Sequence, residues 1–454
     1  DEVGRCEKDL RGPSVRVRWR PFCVPSGEMS HLPKMVAKRP SKIDTITNKS
    51  NVRIYMEVDM KLLKIRFDHV RMFENGIFEL DFYASDKVPS SDESVFSLGR
   101  PVYSNCIVAL AGINASGKTT ALNLIELACR VVNGTPLGAS GLPSSLPTIF
   151  DGNPSMRALV WEDGRLFLIE SSLVVAKPAD GASASESAFE LADETISRVP
   201  RISSKDPLSS WDVLRANSRE LYRRTEILDS WIVLASPDVS ICGAVLAKIV
   251  GRRCRIQVLR DDEARIREGS ENLDAILRVF DPRIEHLEVN DSGRAFEIGF
   301  SDGKLLSLSE AGLREVLSSG TVRGLSLVQR AMKTLESGGV LLVDELENHL
   351  NRQLVNVVVD LFASRETNPQ GAVLVFTTHY PQLLDHIHRK DDVYFLAHGE
   401  AGLTRIVKYG DKVERIENKK SEVFASNYIK GTAPRYVDVR TLRHLVSESV
   451  ATHE

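Results

Sequence analysis

Gly112-Ile113-Asn114-Ala115-Ser116-Gly117-Lys118-Thr119 sets two glycines five positions apart and follows them with a lysine and a hydroxyl residue. Glycines let successive backbone N–H groups turn inward around an anion, where a side chain would obstruct or strain the loop. A helix starting near Lys118 would aim the positive end of its dipole at the same point. The ammonium of Lys118 suits β- and γ-phosphates, and the Thr119 hydroxyl suits a Mg²⁺ ion. The pattern predicts a P-loop for a nucleoside triphosphate, with Asn114, Ala115, Ser116, Gly117, Lys118, Thr119 and Thr120 as the contacting residues.

A second group of chemically able residues ends the run Gly339-Val340-Leu341-Leu342-Val343-Asp344-Glu345. An apolar strand closing in two acids is the Walker B arrangement. Asp344 can hold the Mg²⁺ shell beside Thr119, and Glu345 can orient or deprotonate an attacking water. A third run, Ala372-Val373-Leu374-Val375-Phe376-Thr377-Thr378-His379, repeats the plan. A histidine at the carboxyl end of a core strand, where ligands bind in open α/β sheets, can contact a γ-phosphate oxygen or the water and sense which nucleotide is present. Leu317-Ser318-Ser319-Gly320-Thr321 precedes a helical pattern from Val322 to Leu335. By itself Ser318-Ser319-Gly320 is a helix cap with exposed N–H groups.

These residues need strands and helices to carry them. Cys106 to Ala111 is a continuous apolar run that reads as a buried parallel strand, and Thr119 to Val132 has a helical apolar rhythm. Upstream, Met60 to Phe67 and Gly76 to Phe82 read as a β-hairpin, and Ser90 to Arg100 as a polar connection. Met156–Trp161 and Arg165–Val175 form strands around the tight turn Asp163-Gly164. Ala179 to Ser187 is a small-residue linker. Pro207 to Asp281 reads as mostly helical, with Trp211, Leu214, Leu221, Ile227 and Leu228 on one face. In that stretch Tyr222, Arg223 and Arg224 serve either a partner or a solvated face. Short strands are expected at Glu285–Asn290, Ala295–Phe300 and Leu305–Leu308.

The expected organisation is therefore an N-terminal extension over 1–55, a first ATPase segment over 56–180, a mostly helical insertion over 181–283, a second ATPase segment over 284–410 and a helical tail over 411–454. The extension is basic (Arg16-Val17-Arg18-Trp19-Arg20) and lacks periodicity. It reads as a disordered tail, as sequence upstream of a start at Met56 or Met60, or as a nucleic-acid-binding arm.

Composition narrows the class. The 454 residues are 42% hydrophobic and 27% charged, as in a soluble globular protein. A formal net charge of -3 argues against a protein basic overall. Six scattered cysteines form no CxxC pair, which fits reduced thiols in a cytoplasmic protein rather than a zinc site or disulfide framework. No apolar run reaches bilayer length, so no membrane partner is expected.

In this order the P-loop, Leu317-Ser318-Ser319-Gly320-Thr321, Val340–Glu347 and Phe376–Tyr380 resemble the ABC/SMC-like ATPases of the AAA family, relatives of RecF and of the OLD-family ATPases. The resemblance runs from about Met60 to Tyr436. It implies an α/β P-loop fold of the ABC type, with a central mixed sheet flanked by helices, an N-terminal β-hairpin region and a helical insertion. It also implies ATP and Mg²⁺ as ligands and an ATP-dependent homodimer in which two chains dock head to tail. Ser318, Ser319 and Gly320 would then reach the γ-phosphate on the other subunit's P-loop, with Lys118, Glu345 as base and His379 as switch completing the catalytic set. The departures are Asn351-Arg352 where relatives often carry His-Pro, a change expected to affect interface packing, and the lack of any glutamine between the P-loop and Gln257. OLD-type relatives carry a nuclease domain after the ATPase; the short tail after His379 has no acid cluster for one. The resemblance thus implies a regulator of a separately encoded effector, as in phage defence or abortive infection. The alternatives are a RecF/SMC-like DNA-repair ATPase that binds nucleic acid directly and the ATP subunit of a transporter.

Overall fold

The computed structural model describes residues 60–138, 142–176, 188–226, 236–249, 254–260, 273–289, 295–399, 402–413 and 418–451. The chain divides into units Asp1–Tyr55 and Met56–Glu454, and the described residues all fall in the second. Expectations for the 1–55 extension, the 179–187 linker, and Ile227 and Leu228 lie outside the described residues.

Strands β1 (Lys61–Val70) and β2 (Phe78–Asp81) form the opening hairpin, and β3 (Val95–Ser97), inside the expected polar connection, pairs with β4 (Tyr103–Asn105) just after it. β5 (Ile107–Gly112) enters helix α1 (Lys118–Asn133), and β6 (Phe150–Glu162), β7 (Arg165–Ala176) and β8 (Ala188–Val199) follow. Next come α2 (Trp211–Asn217), β9 (Arg219–Arg223), α3 (Ile241–Ile249), β10 (Ile256–Leu259) and α4 (Leu273–Phe280). A meander of β11 (Ile284–Val289), β12 (Ala295–Phe300) and β13 (Leu305–Ser309) precedes α5 (Glu310–Val316) and α6 (Ser319–Ser337). Then β14 (Val340–Val343), α7 (Arg352–Ala363), β15 (Val373–Thr378), β16 (Val393–His398) and β17 (Thr404–Lys408) complete the alternation. After short helical segments, α8 (Tyr436–Ala451) is the last described element.

The central sheet has the order β10-β14-β15-β5-β16-β17. Its first five strands run parallel, and β17 closes the edge antiparallel to β16. It is the mixed α/β sheet that the sequence leads one to expect. Every residue of β5, β14 and β15 is buried, as strands covered on both faces must be. The second sheet, β2-β1-β6-β7-β8-β9, is antiparallel throughout. Helix α1 supplies Leu124, Ile125 and Ala128 to one core with Phe67, Phe167 and Ile169 of the antiparallel sheet and Val108, Leu110 and Val375 of the central one. On the other face Leu327 and Ala331 of α6 and Val355, Val359 and Phe362 of α7 bury Leu341, Leu374 and Phe376. The meander has its own small core, where Leu277, Phe296 and Ile298 meet Val322 and Leu325 of α6.

Among the described residues, the segment 181–283 is not mostly helical: β8 and β9 extend the antiparallel sheet and β10 joins the central sheet, interleaved with α2, α3, α4 and shorter helical turns. Ala188–Val199 contains Ala, Glu and Leu, which favour helices in isolation, but it places Phe189, Leu191, Ile196 and Val199 in the core by pairing with β7. Tertiary pairing overrides propensity here. Of the expected helical face, Trp211 and Leu214 are buried on α2, while Leu221 is an exposed strand residue. Arg224 belongs to no solvated face: it is buried and donates to the carbonyls of Val239 and Ser236.

The entry into β15 is held by one side chain. Buried Asn368 donates from Nδ2 to the carbonyls of Phe362 and Ala372, each at 2.9 Å, and accepts the Ala372 N–H at 2.6 Å. Asn368→Ala leaves three buried backbone groups without this partner. We expect it to lower the unfolding free energy by about 2–4 kcal/mol in urea titration; a change within 0.5 kcal/mol, roughly the range of a neutral surface substitution, would show that the clamp is redundant.

Candidate functional site

Adjacent parallel strands in register end level with one another. Val343 of β14 lies beside Phe376 of β15, and Thr378 of β15 beside Ala111 of β5. The segments leaving these three strands are the P-loop, Asp344-Glu345 and His379, so the sheet's carboxyl edge gathers what is far apart in sequence. This edge is where ligands bind in open α/β sheets.

The P-loop is shaped by its own backbone geometry and packing. Ala115 adopts φ 60° and Gly117 φ 83°, and a Cβ on Gly117 would lie 2.8 Å from the Met72 Cε. Gly117 is thus required by both conformation and space. Asn114, Ala115 and Thr119 are exposed, Thr120 is half-buried, and Ser116 is buried with its carbonyl accepting from Thr404 Oγ1 at 3.1 Å. Lys118 is buried and folds back: its Nζ donates to the carbonyls of Gly112 (2.9 Å) and Ile113 (3.0 Å) and meets His379 Nδ1 at 3.2 Å. Burial lowers the Lys118 pKa below the usual lysine value, opposed by the negative charges of Glu345, Asp344 and Glu347. An arriving phosphate would supply the charge that this buried ammonium lacks.

Asp344 is fixed on both oxygens. Oδ2 accepts from Thr119 Oγ1 at 2.8 Å and Oδ1 from Thr377 Oγ1 at 2.6 Å. Thr377 Oγ1 also accepts the Glu345 N–H at 2.7 Å, so one hydroxyl on β15 sets both acids of β14. Glu345 sits at φ 49°, a conformation disfavoured by about 1–2 kcal/mol for a side chain of this kind, and such residues concentrate at functional sites. Its Oε1 lies 2.8 Å from His379 Nε2. Lys118 has only protons to offer and ionised Glu345 only lone pairs, so the neighbours select the His379 tautomer with Nδ1 accepting and Nε2–H donating. The Glu347 carboxylate accepts the His379 N–H at 2.6 Å and anchors the backbone beneath the ring.

A hydroxyl and a carboxylate in contact are hard oxygen donors of the kind Mg²⁺ takes. Among the described residues no group of three or more His, Cys, Asp or Glu is disposed to hold a metal. Mg²⁺ characteristically binds through one or two protein oxygens and draws its other ligands from phosphate and water, so this donor set fits it.

The structure therefore brings Lys118, Thr119, Asp344, Glu345 and His379 into one hydrogen-bonded cluster. Ser318, Ser319 and Gly320 stand elsewhere, at the start of α6. Ser318 is the N-cap, accepting the Thr321 N–H at 3.0 Å, and Ser319 Oγ lies 3.3 Å from His349 Nδ1. Any side chain at position 320 would collide with the His349 carbonyl, so glycine is forced by the contact between the two loops. His349 itself has φ 59°. Asn351, where relatives often carry His, caps α7 by accepting the Leu354 N–H at 3.0 Å. Gln257 lies on β10 opposite Leu341.

Three contributors escaped the sequence reading. Thr377 was read as part of a polar strand end, although its β15 alternation points it toward the neighbouring acids. Glu347, the third acid of Asp344-Glu345-Leu346-Glu347, carried no separate assignment. Arg323, one turn into α6, is buried, and its Nη2 donates to the carbonyls of Asp344 (2.6 Å) and Glu345 (2.8 Å). No signal in the sequence identifies it, because an arginine on a helix reads as solvated. It joins the Ser318-Ser319-Gly320 helix to the strand end that carries the acids. Arg323→Ala is expected to lower the unfolding free energy by about 2–4 kcal/mol, read in urea; unchanged stability would show that the link carries no strain between the two elements.

Among known proteins, the sequence profile of the family described as "AAA domain, putative AbiEii toxin, Type IV TA system" matches residues 107–385. Among solved structures, the SMC head domain from Thermotoga maritima is similar at 13% identity, over 77% of this chain and 98% of that chain, with a TM-score of 0.37. No curated protein matches. Among the described residues no helix is long and apolar enough to cross a membrane.

Proposed function

Because the chain belongs to the AAA-domain family whose profile spans its P-loop, Walker B strand and His379, we propose that it binds ATP with Mg²⁺ and hydrolyses it to ADP and phosphate. The observation that carries the reading is the continuous chain of contacts Lys118–His379–Glu345 beside Thr119–Asp344–Thr377. Phosphoryl transfer asks a protein mainly for position and charge, and each group has a task of that kind. Lys118 turns from the Gly112 and Ile113 carbonyls to the β- and γ-phosphates. Thr119 and Asp344 would hold Mg²⁺, which when bound would neutralise phosphate charge. Glu345 orients the water and takes its proton. His379, released from Lys118 when a phosphate arrives, reports nucleotide state to Glu345.

In this reading Ser318, Ser319 and Gly320 complete the site of a second copy, so that ATP is sandwiched between two chains. Their place at the N-terminus of the long helix α6 supports an anion-facing role. The cycle regulates a separately encoded effector in this reading, consistent with phage defence; the family's description, which names a putative toxin and a type IV toxin–antitoxin system, supports a partner protein.

Lys118→Ala is expected to lose ATP affinity and turnover together. Glu345→Gln keeps ATP binding but hydrolyses about 10²–10⁴-fold more slowly, the usual worth of a general base. Thr377→Val, which unties Asp344 and Glu345 at once, costs about 10–100-fold in turnover, as loss of an outer-shell partner does. Phosphate-release assays and nucleotide titrations read all three; a Glu345→Gln variant as fast as wild type would remove Glu345 from its role. The biological reading is tested by purifying Glu345→Gln in Mg²⁺ and ATP and identifying what travels with it. A stoichiometric protein supports the effector reading, and nucleic acid without protein favours direct DNA action instead.

A further inference from the structure

Helix α8 is 16 residues long, and from Tyr436 through Val450 only Val439 is even partly covered. Leu442 is 62% exposed and Val446 55% exposed. An isolated helix of this length is marginal in water, and an uncovered row of aliphatic side chains on it asks for an occupant.

The row has a definite pattern. With Val439 and Val446 at the a positions of a heptad, Leu442 falls at d, and Leu445 and Val450 flank this seam at g and e. Arg440, His444 and Glu448 fall on the opposite face, where His444 and Glu448 pair at 3.3 Å. β-Branched valine at a with leucine at d is the combination that favours two parallel strands. The flanking charges agree. In a parallel pair each g residue faces the partner's e residue five positions on, which sets Asp438 against Arg443 of the partner subunit. Leu445 then faces Val450 of the partner subunit. Asp438 already binds Arg435 Nε at 2.7 Å, and an ionised carboxylate has room for a second guanidinium. An antiparallel pair would instead bring the two Arg443-bearing edges together.

We infer that the occupant is α8 of a second copy of this chain, paired in parallel through Val439, Leu442 and Val446. Because the contact uses no residue of the nucleotide site, it forms without ATP; the neighbouring d positions are Arg435 and Ser449, so the apolar seam is little more than one heptad long and the pairing is short-lived, holding two chains near one another rather than locking them. This inference stands independently of the ATP-sandwich reading.

The test is cysteine cross-linking of the full chain without nucleotide, using diamide and non-reducing gels, with the wild-type protein as control for its own cysteines. Leu442→Cys at the seam should form a disulfide dimer, and Ser447→Cys on the outer face should not. Adding Arg443→Asp to Leu442→Cys sets two acids against each other and should abolish most of the dimer; adding Asp438→Arg as well should restore it. Because α8 touches little else, circular dichroism should be the same for all variants. The inference is overturned by an absent Leu442→Cys dimer, by equal cross-linking at positions 442 and 447, or by a charge reversal that has no effect or is not rescued. Failure here with intact ATP turnover would leave the nucleotide reading standing.

Discussion

The site depends on one carboxylate held from two directions. Asp344 receives Thr119 from the P-loop helix and Thr377 from the neighbouring strand, so the three strand ends are tied across the carboxyl edge of the sheet. The bond is possible only because β14, β15 and β5 are parallel and in register. Long apolar strands buried on both faces make that register, and the buried polar groups at and just beyond their ends, Thr377 and Lys118, are satisfied by hydrogen bonds to neighbouring groups. A slip of one residue in β15 would turn Thr377 away from both acids at once.

The same edge ties its functional groups to one another. Lys118 takes up backbone carbonyls and the His379 ring, and Glu345 takes up the other side of that ring. Each contact is one that a phosphate, a metal or a water could replace. The positive φ of Ala115, Glu345 and His349 is held by packing around them, which is how a fold maintains geometry that local preference opposes. Arg323 carries the arrangement outward, since its guanidinium reads the carbonyls behind Asp344 and Glu345 from the helix begun by Ser318.

What the sequence revealed follows from what each residue had to do locally. The P-loop, the acid pair and His379 sit at the ends of unbroken apolar runs, so pattern alone located them and their strands. The Asp163-Gly164 hairpin and the strands of the meander were equally open, because turn chemistry is local. By contrast, β8 was hidden because its Ala, Glu and Leu favour helix until β7 is beside it. Arg323, Thr377 and Glu347 matter through partners 21 to 32 residues or more away, and a helix-face arginine or a strand-end threonine gives no sign of such a partner.

In the proposed mechanism a single chain carries only part of the catalytic site, with the acids and P-loop at one place and Ser318-Ser319-Gly320 at another. The most direct measurement is the ATP turnover rate per chain as the protein concentration is raised from nanomolar upward with Mg²⁺ and saturating ATP. A rate per chain that climbs with concentration and then levels off is the result the account predicts. A rate per chain that is constant across the whole range would contradict it.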